Sequence, residues 1–437
     1  MRGVLLTAFF SGLAFVGWAQ GEVDLSQPLT LEDCIRIGLE NATELRVAEL
    51  NLRSRELDLD DARASFLPTL RTNARWFGND RVSFGLEEEN VDWSVQASYL
   101  LWDQGRRRIS LRQTESNLEA ARAALQRQRA ELILAIVRAY YRVLEARALV
   151  ELDQQILEVS RGTVERVRGL LEVEEAIPTD VAAAEVRVAN DELALLADQN
   201  ALETALAQLP VVLGLDPSIR LQVAEDVEFQ SYAQTGAYRR ETRTLEEAIQ
   251  QALEQREEVR ESELNLRVLE LSQRLAKLEQ FPQVTVQGSY SVVLDDYLRE
   301  RGDFSRFRSW EASVNLSFPI FDGGVTRRTL LRSDVQLERA RVQHEALKRQ
   351  IALEVTQAYL NLMQAQKRLD ISTAQVRSAE LNLQGTQERY QLELAILLEL
   401  LDAQTQYAQA TTTQVRTYYT YKTAEAEFKR AIGEELP

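Results

Sequence analysis

The amino-acid sequence predicts a mainly α-helical fold with a β-barrel segment, duplicated internally so that each half holds long helices and one pair of strands. Three observations carry this. One order of segments is written twice along the 437 residues. Leucines recur every seven residues through long stretches free of proline. Four shorter stretches alternate apolar and polar residues at period two. Glycine (18) and proline (8) are scarce for this length, which favours long regular elements over loops.

The repeat opens on Thr30-Leu31-Glu32-Asp33-Cys34-Ile35, which returns as Thr244-Leu245-Glu246-Glu247-Ala248-Ile249 at an offset of 214. The register holds without a gap to Pro68 and Pro282, with 17 identities in 39 positions. Beyond the strands the offset grows by five to 219, where Trp102-Asp103-Gln104-Gly105 matches Phe321-Asp322-Gly323-Gly324. Ala139-Tyr140 then matches Ala358-Tyr359, Ala176-Ile177 matches Ala395-Ile396, and Leu213-Gly214 matches Ile432-Gly433. The expected units are a first repeat over 20–214, a connecting layer over 215–243 and a second repeat over 244–437.

Before the first repeat, Arg2 precedes an apolar run from Val4 to Gly17, and Gly17-Trp18-Ala19 gives a small-x-small site. That pattern predicts a secretory signal peptide over residues 1–19, too short to cross a bilayer as a helix. Cys34 lies well past it and reads as a small buried thiol. From Thr30 to Phe66 apolar residues recur at helical spacing, and Pro68 ends that helix. Leu70, Thr72, Ala74 and Trp76 then alternate with Arg71, Asn73 and Arg75. After a loop expected over Gly78 to Asn90, Val91, Trp93, Val95, Ala97, Tyr99 and Leu101 alternate with polar residues. This predicts one hairpin over 68–102, and its counterpart over 282–321 contains Tyr290 and a fourth strand from Trp310 to Phe318.

From Gly105 to Glu172 the heptad column Leu111, Leu118, Leu125, Leu132 predicts packed superhelical helices reaching roughly 100 Å. The second half repeats the column from Leu330, and places His344 in the seam as a hydrogen-bonded layer residue. Turns near Glu174 to Thr179 and Glu393 to Leu398 lead into returning helices that end at Gly214 and Gly433.

All four tryptophans beyond the signal peptide, Trp76, Trp93, Trp102 and Trp310, lie in or at the ends of the four strands. With Tyr99, Tyr290 and Phe318 they predict an aromatic girdle at a membrane interface, with apolar residues toward outer-membrane lipid and polar ones toward a lumen. Four strands cannot close alone, and open edges in lipid leave backbone groups unsatisfied, so several copies must share one barrel. Two copies would give eight strands, which also close. A soluble hairpin pair on a helical core alternates too, and leaves a periplasmic coiled-coil scaffold or adaptor-like protein as the other reading.

The composition narrows function. The chain has 51 Lys+Arg against 68 Asp+Glu, a net charge of −17, which argues against nucleic acid as a partner. One His and one Cys cannot build a zinc site or a Cys/His dyad, and there is no phosphate loop or nucleophile–base motif. Neither an enzyme nor a cofactor is expected.

Taken in order and in both halves, these motifs, with Leu401-Asp402-Ala403-Gln404, resemble the TolC-like outer-membrane efflux proteins from Leu29 to Gly433. The resemblance implies a homotrimeric channel-tunnel, with a twelve-stranded β-barrel and a twelve-helix α-barrel spanning from the outer membrane into the periplasm. It implies an exit duct for small molecules or for type I protein secretion, docked to a periplasmic adaptor and an inner-membrane pump or ABC exporter. The gate of such ducts, a Tyr against a Thr-Asp pair at the helix turns, falls on Tyr390, Thr179 and Asp180. Following Pro178, Thr179 and Asp180 are equally well placed to cap the returning helix. An acidic pore ring falls on Glu399 and Asp402, which a solvated helix face would also explain. Three departures stand out: Ala395 replaces an Arg that takes part in closure, and Glu174 and Glu393 replace the glycines usual before each turn.

Overall fold

A computed structural model describes residues 27–81, 86–295 and 308–436, with the side chains of 76–81, 86–91 and 293–295 left out. The signal peptide expected at 1–19 lies outside these residues. Each half opens on a capping box. Thr30 Oγ1 accepts from the Asp33 amide and the Asp33 carboxylate accepts from the Thr30 amide, each at 3.2 Å. Thr244 and Glu247 repeat the exchange at 3.3 and 2.8 Å. Two of the first-turn amides that a helix leaves unpaired are thereby satisfied at each start.

The helix expected over Thr30 to Phe66 is broken into α1 (Leu31–Asn41) and α2 (Thr43–Ala64) by Ala42, whose ψ of 122° is extended. The cause lies far along the chain. Gly214, at φ +74°, backs onto the break so closely that a Cβ there would meet the Asn41 carbonyl oxygen at 2.5 Å. The second half has the same joint. Its break is at Arg256, and a Cβ on Gly433 (φ +78°) would meet the Gln255 Cβ at 3.1 Å. The glycine ending each returning helix is the close-approach point that seats in the kink of the first.

After α2 the chain forms β1 (Thr69–Arg81) and β2 (Leu86–Trp102), then α3 (Arg106–Glu172), α4 (Pro178–Val212) and the short α5 (Val227–Thr235). The second half follows as α6 (Leu245–Gln255), α7 (Glu257–Leu278), β3 (Gln283–Asp295), β4 (Arg308–Ser317), α8 (Val325–Gln391) and α9 (Leu397–Ala431). Corresponding helices have equal lengths, 11, 22, 67 and 35 residues in each half. The loop expected at Gly78 to Asn90 is largely strand, because backbone pairing continues through Gly78↔Glu89 to Arg81↔Leu86. Asp103 caps α3 by accepting from the amides of Gly105 and Arg107 at 3.1 and 3.0 Å, and Asp322 caps α8 through Gly324 and Thr326 at 2.8 and 2.7 Å. Hydrogen bonds to its charged form, first from the Thr326 side chain and then from the Thr326 and Gly324 amides, hold the Asp322 carboxyl down at about 2.

The subunit is a slab four elements wide at every level. The antiparallel sheet runs β1-β2-β3-β4. Next to it the packing order is α2-α3-α7-α8, and toward the turns it is α4-α3-α9-α8. The core sits where these layers meet. There Ile136, Val143, Leu209, Ile351, Leu362 and Phe428 are buried, each large aliphatic side chain contributing about 1.5–3 kcal/mol. The connecting layer lies on one face: Leu29 bridges to Val223, and Phe229 and Tyr232 of α5 pack on Tyr418 of α9 with ring centroids 5.1 and 4.9 Å away. Cys34 is fully buried, its thiol pushed up to about 12 by desolvation, and His344 Nδ1 lies 3.0 Å from Ser262 Oγ between α8 and α7.

Candidate functional site

The sheet separates its two faces cleanly. Directly opposed residues share a face, and one face carries the rows Leu70, Ala97, Gly288, Ala312; Thr72, Val95, Tyr290, Trp310; and Tyr99, Val286, Val314. The other carries Arg71, Gln96, Ser289, Glu311 and Asn73, Ser94, Ser291, Ser309, tied by a 2.6 Å bond between the Ser291 and Ser309 hydroxyls. The apolar face is not packed inside the subunit: Leu70, Trp310, Val314 and Leu316 remain 68–79% exposed. Both outer strands, β1 and β4, have a free edge within the chain.

The predicted girdle residues fall at two levels. Trp93, Tyr290 and Trp310 lie in adjacent rows toward the hairpin loops, while Tyr99 and Trp102 lie near the helices. Trp76 is in β1, with a side chain outside the described residues. Phe318 falls one residue beyond β4, which ends at Ser317 where pairing with Gln283 stops, and is exposed there. Trp93 and Trp102 are nine residues apart on β2. That is about 30 Å of strand, or roughly 23 Å of depth at a tilt near 40°.

At the opposite end, α3 turns into α4 and α8 into α9. Both turns close with the hydrogen-bond pair of a Schellman motif: Glu174 and Glu175 amides donate to Leu171 and Leu170 carbonyls at 3.1 and 2.9 Å, and Glu393 and Leu394 amides donate to Tyr390 and Arg389 at 3.1 and 2.8 Å. The left-handed residue is Glu174 (φ +65°) in one and Glu393 (φ +59°) in the other.

Tyr390, at the end of α8, packs on a cluster of Val167, Leu397, Leu400 and Leu401, beside Ala176 and Val181. Burial raises its phenol, the Arg166 charge opposes this and Asp180 adds to it. Among the described residues no hydrogen bond joins Tyr390 to Thr179 or Asp180 within one subunit. Neither residue caps α4: the N-cap is Ile177, Pro178 holds the first position, and Asp180 sits in the first turn. Glu399 pairs with Arg389 at 3.6 Å, and Asp402 accepts from Gln406 at 2.8 Å. Exposed apolar side chains ring the turns, among them Val173, Ile177, Leu392, Leu394, Ile396 and Leu398.

Two features escape sequence reading. One is this apolar tip, whose residues look like core until the turn exposes them. The other is a pair of buried acids between α3 and α4, Asp153 and Asp191, which lie 38 residues apart and line one cleft only through helix pairing. No cluster of metal-ligating residues and no helix apolar enough to span a bilayer occurs among the described residues.

The outer membrane efflux protein family matches residues 35–215 and 248–434, the two halves taken in turn. The chain is 24% identical over 398 residues to protein CyaE of Bordetella pertussis, covering 89% of this chain and 80% of that one. It is 22% identical over 379 residues to outer membrane protein TolC of Vibrio cholerae, covering 85% and 83%. Among solved structures it superposes on CusC with a TM-score of 0.79 at 18% identity, covering 93% of this chain and 92% of that one. On the open Neisseria gonorrhoeae MtrE outer membrane channel it scores 0.78 at 22% identity, covering 92% and 89%. These structures share the fold, a helical barrel continued by a β-barrel. Members of the matched family reside in the outer membrane and reach into the periplasm as passive channels, not enzymes, in place of a soluble scaffold. With both halves matched across most of the chain, the protein belongs to the outer membrane efflux protein family.

Proposed function

We propose that three copies of this chain close side by side into a passive exit duct that is shut at the helix turns and opened by a periplasmic partner docking there. One observation carries the closure: a four-stranded sheet with an apolar face, a polar face and two free edges has no stable placement in lipid except as part of a shared barrel. The helical flanks agree. Exposed Val342, Leu353, Leu360 and Ile371 on α8, and Val186, Leu193 and Leu196 on α4, supply apolar stripes on opposite flanks of the slab. The two aromatic levels on β2 fit the apolar band of an outer-membrane barrel.

Tyr390, Thr179 and Asp180 form the gate in this reading, which draws support from the packing of Tyr390 on the cluster that also seats Val181, the residue after Asp180, and from the Asp180 charge acting on its phenol. With Ala395 in place of an Arg, the clasp rests on fewer polar contacts, and the salt bridge of Arg389 with Glu399 supplements it. Glu399 and Asp402, repeated around a ring of copies, give the tip a preference for cations. The exposed apolar turns suit an adaptor helix hairpin, itself coupled to an inner-membrane pump or ABC exporter. That transporter decides whether small molecules or a secreted protein enter. The gate is tested in planar bilayers: Tyr390→Phe with Asp180→Asn should raise the open fraction at least tenfold over the native channel. Absence of any conductance from both proteins contradicts the duct, and equal conductance contradicts the gate.

A further inference from the structure

The two halves match in their pairing as well as in their order. Adding 214 to a residue of β1 and 219 to a residue of β2 converts the register of the first hairpin into that of the second: Thr69↔Ser98 becomes Gln283↔Ser317, and Trp76↔Val91 becomes Tyr290↔Trp310. The same offsets carry α2 onto α7 and α3 onto α8, end residue for end residue. Inside the copy, β2 and α3 of the first half join β3 and α7 of the second. In a closed ring of such slabs this join recurs between copies, with β4 and α8 in place of β2 and α3, and with β1 and α2 of the next copy in place of β3 and α7.

Exposed side chains on the outer flanks correspond to buried ones at the inner join. Leu50 and Leu57 of α2 are exposed where Leu264 and Leu271 of α7 are buried, and Val335 and Val342 of α8 are exposed where Ser116 and Ala123 of α3 are buried. The difference follows from neighbours: α3 and α7 pack on one another, while α8 and α2 lack that partner within one copy. Two polar contacts change their chemistry. At the inner join Gln113 Nε2 donates to Ser272 Oγ at 2.7 Å, and the offsets put Arg332 of α8 and Asp58 of α2 at the equivalent points. A neutral pair inside the copy thus corresponds to opposite charges on its two flanks. Arg332 is exposed and enters no ion pair among the described residues, and Asp58 accepts from Arg55 through Oδ2 at 3.0 Å. The second contact changes the other way, since the inner ion pair of Arg127 with Glu261 at 3.5 Å corresponds to Ala346 and the exposed Val47. Val335 and Val342 fall between these two levels on α8, as Leu57 and Leu50 do on α2.

We propose that Arg332 of each copy pairs with Asp58 of the next, in a seam whose register is that of the chain's own inner join. β4 then meets β1 of the next copy with Leu316 opposite Ala74, as Ala97 lies opposite Gly288 inside the copy. The seam rests on the shared-barrel reading and fixes its register. The inner join is held in line by the chain that runs through it, whereas separate copies are free to slip, and apolar stripes alone tolerate a slip of one helical turn. An ion pair does not, because a slip of that size parts the two charges. The charges therefore stand at the one seam that has no covalent connection to set it.

The test uses the purified full chain in detergent, where the buried Cys34 does not compete for oxidation. Oxidising Leu316→Cys with Ala74→Cys should link copies into species of two and three times the monomer mass that survive heating, and Leu316→Cys with Leu70→Cys, four residues out of register, should not. Arg332→Asp and Asp58→Arg should each shift the equilibrium from trimer to monomer by about tenfold, the product of three exposed ion pairs, and the two together should restore it. Native trimers that link through Leu70→Cys and not Ala74→Cys, or a folded double reversal no better than the single ones, overturn the seam and leave the duct standing. Native protein that is monomeric throughout overturns the shared barrel and the seam with it.

Discussion

Gln104, Glu174 and Glu393 hold left-handed backbone at φ +56°, +65° and +59°, where glycine is the usual occupant. A side chain there costs about 1–2 kcal/mol, against about 0.4–1 kcal/mol of extra unfolded-state freedom that glycine brings. Glu174→Gly and Glu393→Gly should each therefore raise stability by about 0.5–1 kcal/mol, read from the unfolding midpoint; a loss would mean that the glutamates hold the turns by contacts that form only in the assembly. That these positions depart from glycine follows from the family resemblance, and the repeat sets Glu174 against Glu393. The bond from Ser160 to Asp191 is not legible there. Each occupies an ordinary helical position, and their meeting depends on how α3 and α4 fold back on one another.

Among the elements, the joints between short helices carry the least legible structure. Helical periodicity runs on through Ala42 and Arg256, so the sequence offers one helix where two are formed; the breaking contact comes from Gly214 or Gly433, 172 and 177 residues away. At the second joint Arg256 is only 4% exposed and is bound by Glu258 at 2.7 Å and Glu354 at 2.8 Å, while Arg430 of α9 reaches Glu258 at 3.1 Å. Opposing charges bind α7, α8 and α9 there. Arg256→Ala takes the ion-pair partner from Glu354, leaves Glu258 with Arg430 alone, and should cost about 3 kcal/mol. Arg256→Met, which refills the volume but not the charge, should recover little of that if the pairing matters. Equal midpoints for native protein and Arg256→Ala would show the network to be idle.

At the scale of the whole molecule, the duplicated order, the long helices and the alternating strands were all readable, because each rests on local periodicity that the fold leaves intact. At the turns, Tyr390 packs on the cluster of Val167, Leu397, Leu400 and Leu401, while Thr179 and Asp180 do not cap α4. What the single chain displays is one slab with unsatisfied flanks at every level, β1 and β4 in the sheet, α2 or α4 and α8 in the helices. Closure around a central passage is the claim on which the rest depends. It is tested most directly by electrophoresis of the outer-membrane fraction in detergent, with and without heating. The account predicts an unheated species at three times the monomer mass that heating converts to monomer. A monomer in both lanes, extracted from membranes by salt alone, would contradict it.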